Sequence, residues 1–119
     1  MSHRTKIIED NLNVNLPQDY KNFIDDVGII SDERGEIFGY IENIDIEKIP
    51  CVIGSTKLYK EDYKNISNKE IVINFDDFKN APIILNTESG IVYDVDFNQK
   101  TQISSNFAEW LNQKTSESK

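Results

Sequence analysis

One cysteine and one histidine serve a chain of 119 residues, and their scarcity excludes more chemistry than any motif adds. A lone Cys51 permits no internal disulfide, which fits a reducing compartment. There is no Cys/His set for zinc, and no serine sits in a nucleophile elbow. His3, the only histidine, lies close to the N-terminus, so the body of the chain offers Cys51 no base to make it a catalytic thiol. No apolar run approaches the ~20 residues that cross a bilayer, and the first residues lack the basic-then-apolar plan of a signal peptide. These absences lead us to expect a soluble, cytoplasmic protein that is not an enzyme and carries no metal or cofactor.

Positive charge is also scarce. Thirteen Lys and Arg against twenty-one Asp and Glu leave a net charge of −8. Such a surface repels nucleic acid and membrane phosphates and draws basic partners at enhanced rates. Acidity also keeps small proteins soluble, and charge alone does not separate these two consequences.

What is present reads as one α+β domain, with a core over about 5–111 and a polar tail over 112–119. A short helix is expected over 5–12, with Ile8 and Leu12 on one side, and a stronger one over 17–27. In the latter, Leu16, Tyr20, Phe23, Ile24 and Val27 form one stripe, Pro17 suits the first turn, and Gly28 suits the stop. A polar turn at Asp32, Glu33, Arg34 and Gly35 precedes a strand expected over 36–41. Ser55 is placed as the cap of a helix over 56–63, which also accounts for Gly54-Ser55-Thr56-Lys57, a run lacking the spacing of a phosphate loop. Strands follow over 70–75, 82–86 and 91–97, joined by links too short for parallel crossovers and so antiparallel. Alternation places Ile71, Ile73 and Phe75 on the core face of the first, and Ile91, Tyr93, Val95 and Phe97 on that of the last. A closing helix begins at Asn106, which caps it while Glu109 reaches back; Phe107, Trp110 and Leu111 form its buried edge. The opening and closing helices are expected to cover the apolar face of the sheet.

Three of these stretches, in this order, resemble the SUKH superfamily, which includes the yeast cell-wall-assembly regulator and many bacterial immunity proteins. They are Leu16-Pro17 with Asp19-Tyr20 and Phe23-Ile24, then Ala81 to Asn86 with Gly90 to Asp96, then Ser105-Asn106-Phe107 with Glu109-Trp110-Leu111. The chain departs from the family's usual pattern at Asp26-Val27-Gly28, at Asn86, and in the glycine-free turn Asp76 to Asn80. The resemblance implies a SUKH-like α+β domain and a binding protein: a bacterial immunity protein, or antitoxin, neutralising a cognate toxin, frequently a nuclease. A regulatory interaction module with an endogenous, non-toxin partner is the alternative. Family binding residues vary with the partner, so none transfers.

The candidate interface therefore comes from this chain's own chemistry. Asp76, Asp77, Glu88, Asp94 and Asp96 fall in one half of the chain, and Phe78 interrupts the acidic turn. An apolar side chain flanked by carboxylates suits a basic protein cleft with a hydrophobic pocket. The expectation is that all six residues form one partner-binding surface, occluding a basic toxin domain's active site by imitating its nucleic-acid substrate. Asp94-Val95-Asp96-Phe97-Asn98 copies the opening of a calcium loop, but Gln99 and Ser105 stand where that loop needs glycine and glutamate. Missing histidines and motifs argue against a carboxylate-based metal hydrolase.

Overall fold

A computed structural model describes residues 3–32, 35–96 and 99–116. In chain order the elements are α1 (His3–Leu12), α2 (Gln18–Asp26), β1 (Ile30–Asp32), β2 (Gly35–Ile37), α3 (Val52–Asp62), β3 (Glu70–Asp76), β4 (Ala81–Asn86), β5 (Val92–Val95), β6 (Lys100–Ser104) and α4 (Phe107–Ser116). β1 and β2 form a small antiparallel pair, and β3-β4-β5-β6 form a four-stranded sheet in sequence order, antiparallel throughout. This is the α+β architecture expected, and the three strands read from sequence are consecutive neighbours. The strand expected over 36–41 is shorter: it ends at Ile37, and Gly39 makes only an isolated bridge to Cys51. Glu33, Arg34 and Phe97, expected in a turn and on the core face, lie outside the described residues.

α2 stops, and α4 begins, as their sequences suggest; at the start of α2, Pro17 takes the extended cap position, with no side-chain cap bond, and not the first turn. The Val27 and Gly28 amides both donate to Phe23 O, and Gly28 turns the chain at φ +91°. A side chain there would be strained and crowded, because an added Cβ would stand 2.6 Å from Ile41 Cγ2. The Glu109 amide donates to Asn106 Oδ1 at 2.7 Å, so Asn106 caps as expected; Glu109 reaches back one residue further than a capping box requires, its Oε1 accepting from the Ser105 amide at 3.3 Å. Asp19 has a role beyond its own helix: its Oδ1 accepts from the Tyr20 amide at 2.8 Å and its Oδ2 from the Ala108 amide at 3.0 Å. One carboxylate thus meets the N-terminal ends of both helices. Between them pack Tyr20, Phe23, Phe107 and Trp110, with Tyr20 and Phe107 edge to face at 4.9 Å. Phe23 and Trp110 are buried, as the stripe predicted. α4 continues to Ser116, so part of the segment read as a polar tail is helical.

α3 differs from expectation at its start. It begins at Val52, its cap position is Cys51 with no side-chain cap bond, and Ser55 lies inside the helix, fully buried. The Ser55 hydroxyl donates toward Val52 O and Val72 O, both at 3.2 Å, and the Val72 amide donates to Thr56 Oγ1 at 2.9 Å. Two helix hydroxyls therefore satisfy the outer edge of β3, where a neighbouring strand would otherwise be needed. Ile73 is the extra residue of a bulge in the β3–β4 ladder, and its carbonyl accepts from the Phe38 amide at 2.8 Å. Gly54 is required by packing, since an added Cβ would stand 2.4 Å from the Lys48 amide nitrogen. α3 is accordingly the helix that packs on β3, while α4 packs on β6 and α2 packs on α1 and α4, so the cover of the sheet differs from the α2-and-α4 layer expected.

Strict alternation fails in the sheet. Ile71, Val72 and Ile73 are all fully buried, because β3 is covered on both faces. In β5 the buried residues are Val92 and Val95, while Ile91 and Tyr93 are half-buried; this corrects the core face assigned to that strand. Register explains it. Ile71, Leu85, Val92 and Ser104 form one row across the sheet and all are buried. Val72, Ile84, Tyr93 and Gln102 form the next row on the opposite face, and burial there fades from β3 to an exposed Gln102. Twist then joins diagonal corners of the sheet: Lys100, opening β6, meets Glu70, opening β3, at 2.6 Å. Burial pushes the Glu70 carboxyl up, but hydrogen bonds from Lys100 and the Ser67 amide outweigh it and hold the carboxyl below its usual range.

Candidate functional site

The β3–β4 hairpin supplies the site's centre. Asp76 pairs with Ala81, leaving the loop 77–80 between the strands. Asp76 Oδ1 accepts from the Phe78 amide at 2.9 Å and the Lys79 amide at 3.3 Å, folding the turn over its own carboxylate. Asn80, at φ 54°, takes the left-handed position that a glycine would otherwise fill. The result is a tip on which Phe78 is fully exposed, with Asp77 exposed beside it.

The other candidate residues do not all gather there. Asp94 pairs with Ile83 across β4–β5, at the same end of the sheet as the tip, and is half-buried. Lys79 Nζ reaches it at 2.7 Å, and that hydrogen bond raises the lysine's pKa. Asp94 is thus a neutralised partner within the hairpin and adds little free negative charge. Asp96 follows β5 at this end and is exposed; its Oδ1 accepts from the Gln99 amide at 2.8 Å. Glu88 is separated. It sits in the β4–β5 turn, whose Asn86 Oδ1 accepts from the Glu88 and Ser89 amides at 2.9 and 3.0 Å. β4 runs between the two turns, and a six-residue strand spans about 20 Å. The single five-carboxylate surface expected from sequence is therefore corrected: consecutive turns of a meander fall at opposite ends of the sheet.

Residues with reactive side chains sit in structural roles. Cys51 is buried, and burial pushes its thiol up, away from the nucleophilic thiolate. Tyr20 is buried with its hydroxyl donating to Phe38 O at 2.7 Å, and burial raises its pKa well above the usual phenol value. Tyr59 stacks on Phe75 at 5.3 Å, and Tyr40 is half-buried against the core. Among the described residues, no three His, Cys, Asp or Glu side chains come together to hold a metal, and no helix is long and apolar enough to cross a membrane.

Among the described residues Phe78 is the one fully exposed aromatic, and it stands on an acidic turn. Comparison with curated proteins gives no match. The family model SUKH_5, described as SMI1-KNR4 cell-wall, matches residues 2–116. The chain belongs to that family, within the SUKH superfamily.

Proposed function

We propose that the protein is an immunity protein that binds a cognate bacterial toxin domain, a basic nuclease, in the cytoplasm and occludes its active site. The family includes toxin-immunity proteins and cell-wall regulators, so a protein partner is its common theme. The observation that carries the narrower reading is the tip at Phe78. A solvated phenylalanine has no folding role, and the Asp76 turn holds it outward in fixed geometry. Preorganisation of this kind lowers the entropy lost on binding. Asp76 and Asp77 precede it in the turn, Asp96 lies at the same end of the sheet, and the net charge of −8 extends that field over the molecule. Phe78 would enter a pocket beside the toxin's cleft, while the carboxylates take the place of substrate phosphates. Steering then sets the association rate and the buried anchor the dissociation rate.

The test is co-production of this chain with the toxin domain encoded beside its gene. The expected outcome is restored growth and a stoichiometric complex on size exclusion. Unrelieved toxicity, or no complex, would overturn the reading.

A further inference from the structure

A second surface lies apart from the tip. α2 and α4 leave between them a groove of about 440 Å³ floored by Phe23, Phe107, Ile30, Leu111 and Val27. That size is within the ~300–1,000 Å³ of pockets that bury a ligand. Val27, which lines the groove, is 49% exposed. It is one of four large hydrophobics exposed among the described residues.

The rim is acidic and carries a local electrostatic conflict. No lysine or arginine lines the groove. Asp19 is occupied by the two helix N-termini, but α2 ends on Asp25-Asp26 with no basic residue in its last turn. Carboxylates at a helix C-terminus face the negative end of the dipole, an unfavourable placement. Arg4 donates to Ile24 O at 3.0 Å, yet its charge is shared with Glu42 through bonds of 2.7 and 2.8 Å. A cation delivered from outside would relieve this arrangement.

We propose that the α2–α4 groove is the docking site for a basic amphipathic helix of a partner protein. Nine-residue α2 is about 13 Å long, which matches anchors at i, i+3, i+4 and i+7 on an incoming helix. Lysines or arginines flanking those anchors would meet Asp26 and the end of α2. A second copy of this chain is the less suitable occupant, because two molecules of net charge −8 would bring like-charged rims together. The proposal shares with the preceding section only the premise of a protein partner.

The probe is a synthetic 14-residue peptide with leucine at the four anchor positions and lysine at the others. It is titrated into ¹⁵N-labelled protein beside a scrambled peptide of the same composition. We expect amide shifts centred on Asn22, Val27, Ala108 and Leu111, and at least tenfold tighter binding than the scrambled peptide. Val27→Lys and Asp26→Lys should each weaken binding at least fivefold; Asp26→Lys should not lower the melting temperature, since it removes the conflict at the helix end. Equal affinity for both peptides, shifts spread over the acidic surface, or variants that bind as wild type would overturn the proposal. So would sedimentation showing a dimer that Val27→Lys dissociates, because a second copy would then be the occupant. The peptide titration is decided independently of toxin neutralisation, so failure of either reading is seen separately.

Discussion

Thr56→Val tests the way α3 replaces a strand at the edge of the sheet. The Val72 amide donates to Thr56 Oγ1 at 2.9 Å, and both residues are fully buried, so water offers no substitute. Valine has nearly the same shape and a similar helix propensity, which isolates the hydroxyl. Leaving a buried donor unsatisfied costs about 1–3 kcal/mol. The methyl that replaces the hydroxyl recovers at most about 0.8 kcal/mol of burial. The net expectation is a loss of about 0.2–2.2 kcal/mol, centred near 1 kcal/mol, against the roughly 5–15 kcal/mol that stabilises a domain. Ser55→Ala should cost less, because the Val72 carbonyl tolerates a lost donor better than an amide tolerates a lost acceptor. Both hydroxyls serve Val72, so the double variant should depart from additivity. Urea unfolding gives the energies, and hydrogen exchange at the Val72 amide gives the site. A Thr56→Val protein within about 0.5 kcal/mol of wild type, with an equally protected Val72 amide, would refute the edge-satisfaction argument.

Two further outcomes concern the core and the buried ion pair. Phe23→Ala or Trp110→Ala should destabilise by about 3–5 kcal/mol in urea unfolding, and a loss under about 0.5 kcal/mol at either would remove that residue from the core. Glu70→Gln should cost about 1.5 kcal/mol or more near neutral pH through loss of the charged bond to Lys100. Because the folded Glu70 carboxyl is held below its unfolded value, its contribution is complete above the unfolded value and disappears as pH falls through the folded one. Unfolding curves of the two proteins should therefore converge in acid, and a gap constant with pH would contradict the assignment.

The parts legible in the sequence were those governed by local rules. The α2 stripe, the Gly28 stop and the Asn106 cap each depend on residues a turn apart, and each appears as read. The antiparallel order of β3, β4 and β5 followed from short links. What escaped depended on partners distant in sequence. Ser55 has the chemistry of a cap, but β3 lies against it and takes its hydroxyl inside the helix. Val92 sits on the face alternation assigned to solvent; it is buried in the row completed by Ser104. β6 was missed because Lys100, Thr101 and Gln102 show no apolar alternation, as suits an edge strand. Nothing local to Asp19 reveals its bond to the Ala108 amide, which lies 89 residues away in sequence. At the candidate site, the sequence shows that an apolar residue follows Asp76 and Asp77, and the structure adds that Phe78 is exposed. The removal of Glu88 to the far end, and the pairing of Asp94 with Lys79, required the hairpin geometry.

The central claim is that this protein acts by binding a basic protein through the tip at Phe78. The most direct measurement is stopped-flow association and dissociation with the neighbouring toxin domain at two salt concentrations, using variants whose melting curves match wild type. Asp76→Lys with Asp77→Lys should slow association about tenfold or more at low salt and flatten its salt dependence. Phe78→Ala should mainly speed dissociation, weakening affinity by about 1–2 kcal/mol. Rates unchanged in both variants would contradict the account and place the interface elsewhere on the molecule.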